Sequence, residues 1–314
     1  MKKNIFNLII VSSFFILFLE VLLNKTLVFN TISYSLNVWV NNLIPSMFPS
    51  FIISDILINY QMDNYIPKYV KKLFSKIFNV SEIIISIFFL SLLAGFPTSA
   101  KITNTLYEDN LITSKEANLA LTFIHFANPI FVISTIGVLF LNNETYGYII
   151  LFSHHIGAII IGIINGRIFS NKELDYKVHK KIITRKHNFN SIFINAVRNS
   201  IDTLLMILGT LTCFLIFSSL IINVLNTNDY FATIIKGVLE ITMGLKELSI
   251  LNIPDIYKIV ISCMFISFGG ISVHMQIMSI INNDIISYDV FLVSRIGHAI
   301  ISGTICYLLY IILI

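Results

Sequence analysis

IIISIFFLSLLAGFPTSAKITNTLYEDN, residues 83–110, sets an apolar run against a polar one across a Gly-Phe-Pro turn. The apolar part, 83–95, falls short of the roughly 20 residues a helix needs to cross the hydrocarbon core. The piece after Pro97 carries Thr98, Ser99, Lys101, Thr103 and Asn104. A short apolar helix, a turn at Gly95 and Pro97, and a polar half-helix together describe a re-entrant hairpin, because irregular backbone is tolerated at membrane depth only inside protein or beside a cavity. A counterpart lies at 256–283, where an apolar run ends in Gly269-Gly270-Ile271-Ser272 and leads into a piece bearing His274 and Gln276. Placing Gly269 on Gly95 puts Ser272 on Thr98, Ser279 on Thr105 and NDIIS (283–287) on DNLIT (109–113). Paired interruptions at corresponding positions of two halves mark a repeat-built membrane protein and point to its binding site.

The rest of the chain agrees with a bilayer as solvent. Of 314 residues, 56% are hydrophobic and 12% charged, and the mean hydropathy is +0.83. A soluble domain of this size could not clothe its surface with so few charges. The apolar segments would supply roughly six to nine crossings. The net charge of +4 reflects bases at helix ends and is no sign of a nucleic-acid partner. Cys213, Cys263 and Cys306 sit in apolar segments without metal-ligand spacing and read as packing residues.

The sequence divides into an N-terminal membrane anchor (1–35), a first repeat (36–168) with its hairpin at 83–110, a basic loop (169–190), and a second repeat (191–314) with its hairpin at 256–283. Pro45 and Pro49 are expected to break or kink the segment at 36–58. Lys68, Lys71, Lys72 and Lys76, interleaved with Tyr69, Leu73, Phe74, Ile77 and Phe78, fit an amphipathic helix in the headgroup region, or equally a basic cytoplasmic loop. Arg167, Lys172, Lys177, Lys180, Lys181, Arg185 and Lys186 are the strongest cytoplasmic marker. Segment 230–250 is expected to lie along the interface rather than cross, which would invert the two halves.

Polar side chains within lipid are costly and usually face a protein or water-filled interior. The candidate solute-binding set is Thr98, Ser99, Lys101, Asn104, Asn128, Glu240, Ser272, His274, Gln276 and Arg295, with Gly95, Pro97, Gly269 and Gly270 forming the turns. Free N–H groups after each Gly turn could receive an anion or another hydrogen-bonding solute. Lys101 could also snorkel and His274 could satisfy a neighbouring carbonyl. Glu240 could take a coupling H+ or Na+, or pair with Lys236 one helical turn away. His154-His155 lacks a third ligand, so no metal is expected. Gly162 and Gly166 read as a close helix contact. GxSxG, HExxH and P-loop patterns are absent, so the chain is read as no enzyme, with no cofactor. The partners expected are the bilayer, a small polar solute and, as an open alternative, further copies of the chain.

These motifs carry a resemblance. GFPTSAKITNTLYEDNLITSKEANLALTFIHFANPIFVISTIG (95–137), FGGISVHMQ (268–276), LEITMGLKEL (239–248) and NNLIPSMFPSF (41–51) resemble, in the expected order, recurrent stretches of the YlbJ-like sporulation integral membrane proteins. Thr98-Ser99 stands where that family commonly has small residues. The family is grouped with nucleoside-recognition, or Gate, domains, which are similar to the paired-hairpin core of concentrative nucleoside transporters. The resemblance implies an all-α transporter-like core and a role in endospore formation, associated with the cortex. A secondary transporter or solute-gating protein is the leading expectation, and a non-transporting membrane scaffold the alternative.

Overall fold

A computed structural model describes residues 2–60, 62–169, 188–281 and 287–314. Most of the basic stretch, from Lys172 to Lys186, and the end of the second interrupted segment lie outside the described residues. Helix α1 (Lys2–Leu23) meets the helix after it at 96°. That next helix runs as α2 (Lys25–Val38), a π-helical turn (Trp39–Leu43) and α3 (Ile44–Asn59). The break or kink expected at Pro45 and Pro49 takes the form of a π turn ahead of Pro45, and the helix continues through Pro49 as α3. The π turn widens the helix just ahead of Pro45, where Ile44 N–H reaches back to Trp39 O, and Pro49 is carried inside α3. A wider turn relieves the clash between a proline ring and the preceding carbonyls.

Helix α4 (Lys68–Phe78) is amphipathic as its sequence suggests and meets α5 (Glu82–Ala94) at 100°. Its Phe78 is buried, while Tyr69, Leu73 and Ile77 are exposed beside Lys68, Lys72 and Lys76. After the Gly95 turn, α6 (Thr98–Glu108) packs back on α5 and on α7 (Ser114–Phe123). Thr113 and Glu116 form a capping box that fixes the start of α7. Residues 124–128 are unwound, and after Pro129 and Ile130 a π-helical segment (Phe131–Phe140) follows. Then come α8 (Glu144–Ile168) and the 37-residue α9 (Phe189–Leu225), which lies against α2 and α3.

Segment 230–250 forms two pieces, α10 (Asp229–Leu239) and α11 (Ile241–Ile250). At 11 and 10 residues neither can cross alone. They fold onto each other so closely that a Cβ on Gly244 would lie 2.1 Å from the Cα of Gly237. This corrects the expected local pair: Glu240 is extended (φ −143°, ψ 112°), so helical spacing to Lys236 is lost, and the fold-back brings Glu247 to Lys236 instead.

Helices α12 (Asp255–Phe268) and α13 (Gly270–Ile280) are separated by Gly269 and Gly270, both at positive φ (94° and 64°). Unlike α5 and α6, they rest on different neighbours: α12 on α14 (Tyr288–Leu313) and α8, α13 on α9 and α10. By length and composition four helices can cross a membrane, or up to six if each bent pair counts as one span. The sequence-based count runs higher because short, folded-back pieces such as α10 and α11 are as apolar as true crossings. Over their most apolar windows α8 and the α12–α13 segment are 56% buried and α9 and α14 28%, so the first two form the centre and the others present apolar faces outward.

Gly162 and Gly166 act in packing. A Cβ on Gly166 would fall 1.8 Å from the carbonyl oxygen of Phe78, and one on Gly162 would strike that residue's ring. Gly166→Ala is expected to cost about 1–3 kcal/mol through overpacking. Gly209→Ala, where the added methyl meets nothing within 4 Å, should leave stability unchanged or raise it by up to about 1 kcal/mol. Thermal unfolding of both variants in detergent checks the contrast.

Candidate functional site

The unwound stretch 124–128 leaves its peptide groups without helical partners, and three side chains and one backbone N–H take them up. Arg295 of α14 donates from Nη1 to His125 O (3.2 Å) and from Nη2 to Thr122 O (2.5 Å). His154 of α8 accepts from Ala127 N–H at Nε2 (3.0 Å). Asn128 accepts the N–H groups of Ile130 (2.9 Å) and Phe131 (3.2 Å) on Oδ1 and donates to Ser50 Oγ (2.5 Å). From the first turn, Phe96 N–H donates to Phe126 O (2.7 Å). Buried peptide groups left unpaired would each cost about 1–3 kcal/mol, which is why polar side chains gather here.

The two glycine turns meet at this stretch. Phe96 stacks on the His125 ring at 4.7 Å between centroids. On the other side, a Cβ on Gly269 would sit 3.7 Å from His125 Nε2 and 3.8 Å from His274 Cδ2. Around this point cluster His125, His154, His274, Arg295 and His298, none more than 1% exposed. Carbonyls can only accept, so His274 Nε2 donates to Phe268 O (2.9 Å) and His298 Nε2 to His154 O (2.8 Å). Since His154 Nε2 accepts, its Nδ1 donates to Ser267 Oγ (2.9 Å). His154 is thereby the neutral Nδ1–H tautomer, and His274 and His298 carry a proton on Nε2.

Some polar atoms stay orphaned. Both ring nitrogens of His125, Nε of Arg295, Nδ1 of His298 and the hydroxyls of Ser99, Ser272 and Ser302 are buried without a hydrogen-bond partner. Arg295 lies over the Phe291 ring (5.7 Å). Among the described residues the ion pair is Lys236–Glu247, so no carboxylate answers the Arg295 charge.

The remaining candidates fall elsewhere. Glu240 and Gln276 line a separate cavity of about 20 Å³ with Phe96, Phe131 and Thr242. Gln276 Nε2 donates to Thr210 Oγ1 (2.7 Å), and Glu240 caps α11 by accepting from Met243 N–H (2.9 Å). Lys101 is exposed and reaches Thr203 Oγ1 (3.4 Å), Asn104 donates to Glu108 (2.9 Å), and Thr98 is half-buried. Arg295 and His274 are thus brought together, Glu240 and Gln276 form a second group, Lys101 and Asn104 stand outside both, and Ser272 is buried with its hydroxyl unpartnered. Among the described residues no three metal-ligating groups converge on one point. His125 is the residue that sequence reasoning passed over. Its signal was available: a titratable ring three residues before Asn128-Pro129 in an otherwise apolar run.

The chain is similar to the sporulation integral membrane protein YlbJ of Bacillus subtilis (strain 168), 25% identical over 256 residues. The match covers 70% of this chain and 62% of that protein, so the chain spans less than two thirds of its relative's length. No family model and no solved structure matches. The similarity to an integral membrane protein and the apolar helices agree on a multi-pass membrane protein.

Asn128→Ala removes an acceptor for two buried N–H groups and a donor to Ser50. The expected loss is about 1–3 kcal/mol, read as a lower unfolding midpoint in detergent, with Asn128→Asp retaining part of the stability through its acceptor oxygen.

Proposed function

We propose that the chain serves bacterial sporulation as a solute-gating or secondary-transport protein of the membrane, and that its solute is a small anion. One observation carries the reading: Arg295 is fully buried, has an unpartnered Nε and has no carboxylate partner among the described residues, at the point where both glycine turns converge. An unpaired guanidinium is expensive at membrane depth. An anion held by Nε offsets that cost, since a guanidinium N–H supplies what a carboxylate or phosphate oxygen accepts.

In this reading α5–α6 and α12–α13 are the corresponding interrupted elements of two repeats, as in a Gate-type core, and the basic loop 169–190 faces the cytoplasm. Sporulation comes from the similarity to YlbJ, and action in cortex formation is part of the proposal. The rival is a membrane scaffold without transport. It is favoured by the complete burial of Arg295, His154 and His298, which suits a structural polar core equally well.

Uptake into proteoliposomes, with nucleosides, cell-wall precursors, phosphate, sulfate and gluconate compared, separates the two. Uptake of an anion that falls at least tenfold in Arg295→Gln, about 1.4 kcal/mol or more of lost interaction, with protein abundance unchanged, is expected. Uptake of an uncharged nucleoside, or none of any solute together with normal sporulation in the Arg295→Gln strain, would give the scaffold the better claim.

A further inference from the structure

The cavity beside Glu240 belongs to neither the Arg295 cluster nor the lipid-facing surface. Glu240 is 4% exposed and sits in the extended link between α10 and α11. Its carboxylate accepts from Met243 N–H (2.9 Å), a bond that caps α11. A neutral Asn or Ser would cap as well, so capping alone gives no reason for a charged group here. The charged and titratable groups around it are occupied. Lys236 is paired with Glu247, and Lys246 lies over the ring of Tyr34 at 4.8 Å. Around the cavity, α3 and α9 present Met47 and Leu211, α13 presents Val273 and Gln276, and the first turn presents Phe96. The cavity's volume of about 20 Å³ is enough for about one water molecule.

We propose that Glu240 is a proton-binding site that holds its proton at neutral pH, the coupling group of the solute reading above, on which the inference rests. The chemistry is a simple exchange: Glu240 carboxylate takes a proton from a water or hydronium in the cavity to become the carboxylic acid, and returns it to water on release. A carboxylate buried beside Met47, Leu211 and Val273, with Met243 N–H and Thr242 as its hydrogen-bonding partners, is disfavoured as the ion. A proton suits the site better than an alkali cation, because the lining offers oxygens only from Glu240, Thr242 and Gln276.

The two sites are mechanically joined. A Cβ on Gly270 would lie 3.3 Å from Ile241 N and 3.6 Å from Leu239 O, so the α10–α11 link abuts the α12–α13 link. Helix α13 carries His274 toward His125 and Phe291, beside Arg295, and Val273 and Gln276 toward Glu240. With Glu240 protonated, the unanswered charge is that of Arg295, and an anion there leaves both sites neutral, the state that is cheapest in a medium of low dielectric.

Infrared spectra of the full chain in lipid nanodiscs test this without a solute. A protonated-carboxyl stretch is expected at neutral pH, absent in Glu240→Gln, lost at alkaline pH and indifferent to replacing choline with Na+. Gln keeps an acceptor for Met243 N–H, so the cap and fold survive. Absence of the band from the wild type, its persistence in Glu240→Gln, or its loss on adding Na+ each overturns the proposal. Arg295→Gln should keep the band, since the groups sit apart. Failed anion uptake with the band intact therefore sinks the solute reading, whereas Arg295-dependent uptake without the band sinks only the proton site.

Discussion

Every helix interruption in a bilayer must find partners for its peptide groups inside the protein, and the unwound stretch 124–128 is where this demand is greatest. It is met by Arg295 from α14, His154 from α8, Asn128 from the stretch itself and Phe96 from the first turn. These bonds draw distant segments to one point. They also explain why polar side chains collect at the centre of a chain otherwise rich in apolar residues. Packing is arranged around them: His125 is clasped between Phe96 and the second turn, and α8, α12 and α14 close around it.

The same demand limits what each polar residue can mean. Asn128 and His154 spend their hydrogen bonds on backbone or on Ser50 and Ser267, so their presence is explained without a ligand. Arg295 is explained only in part. Two of its nitrogens hold carbonyls, yet a neutral amide donor could do that, and a guanidinium adds a charge that stabilises neither carbonyl enough to offset its desolvation. Glu240 has the same surplus: a cap that needs no charge. Beyond structural need, these two positions hold ionisable groups, one basic and one acidic.

The legible part of this structure was the set of interruptions. Gly95 and residues 124–128 mark breaks in the helical path, whereas α12 and α13, joined through Gly269 and Gly270 at positive φ, together make one 26-residue candidate span. Just ahead of Pro45 the helix widens into a π turn, which leaves no trace in sequence, and Pro49 is carried within α3. The Lys236–Glu240 spacing misled because it assumes a helix that stops at Leu239. Lys101 and Ser272 look alike in sequence, each in the first turns after a glycine, yet one is exposed and the other buried. Which face of α6 or α13 turns inward depends on neighbours far along the chain, and residue spacing does not carry that.

The two turns are held by different partners. At Gly95 a Cβ would lie 2.8 Å from the backbone nitrogen of Asn128, so the first turn is wedged against the unwound stretch. At Gly269 the nearest atoms would be 3.7–3.9 Å away, ordinary contact with side chains of His125 and His274, but at the next residue a Cβ on Gly270 would lie 2.8 Å from Ile241 Cγ2. All three glycines have positive φ, which lets the chain turn, and each turn is fixed by a segment distant in sequence: the first by residues 124–128, the second by the α10–α11 link. Residue spacing within either turn therefore cannot set its geometry alone, because the backbone that confines it comes from elsewhere in the chain.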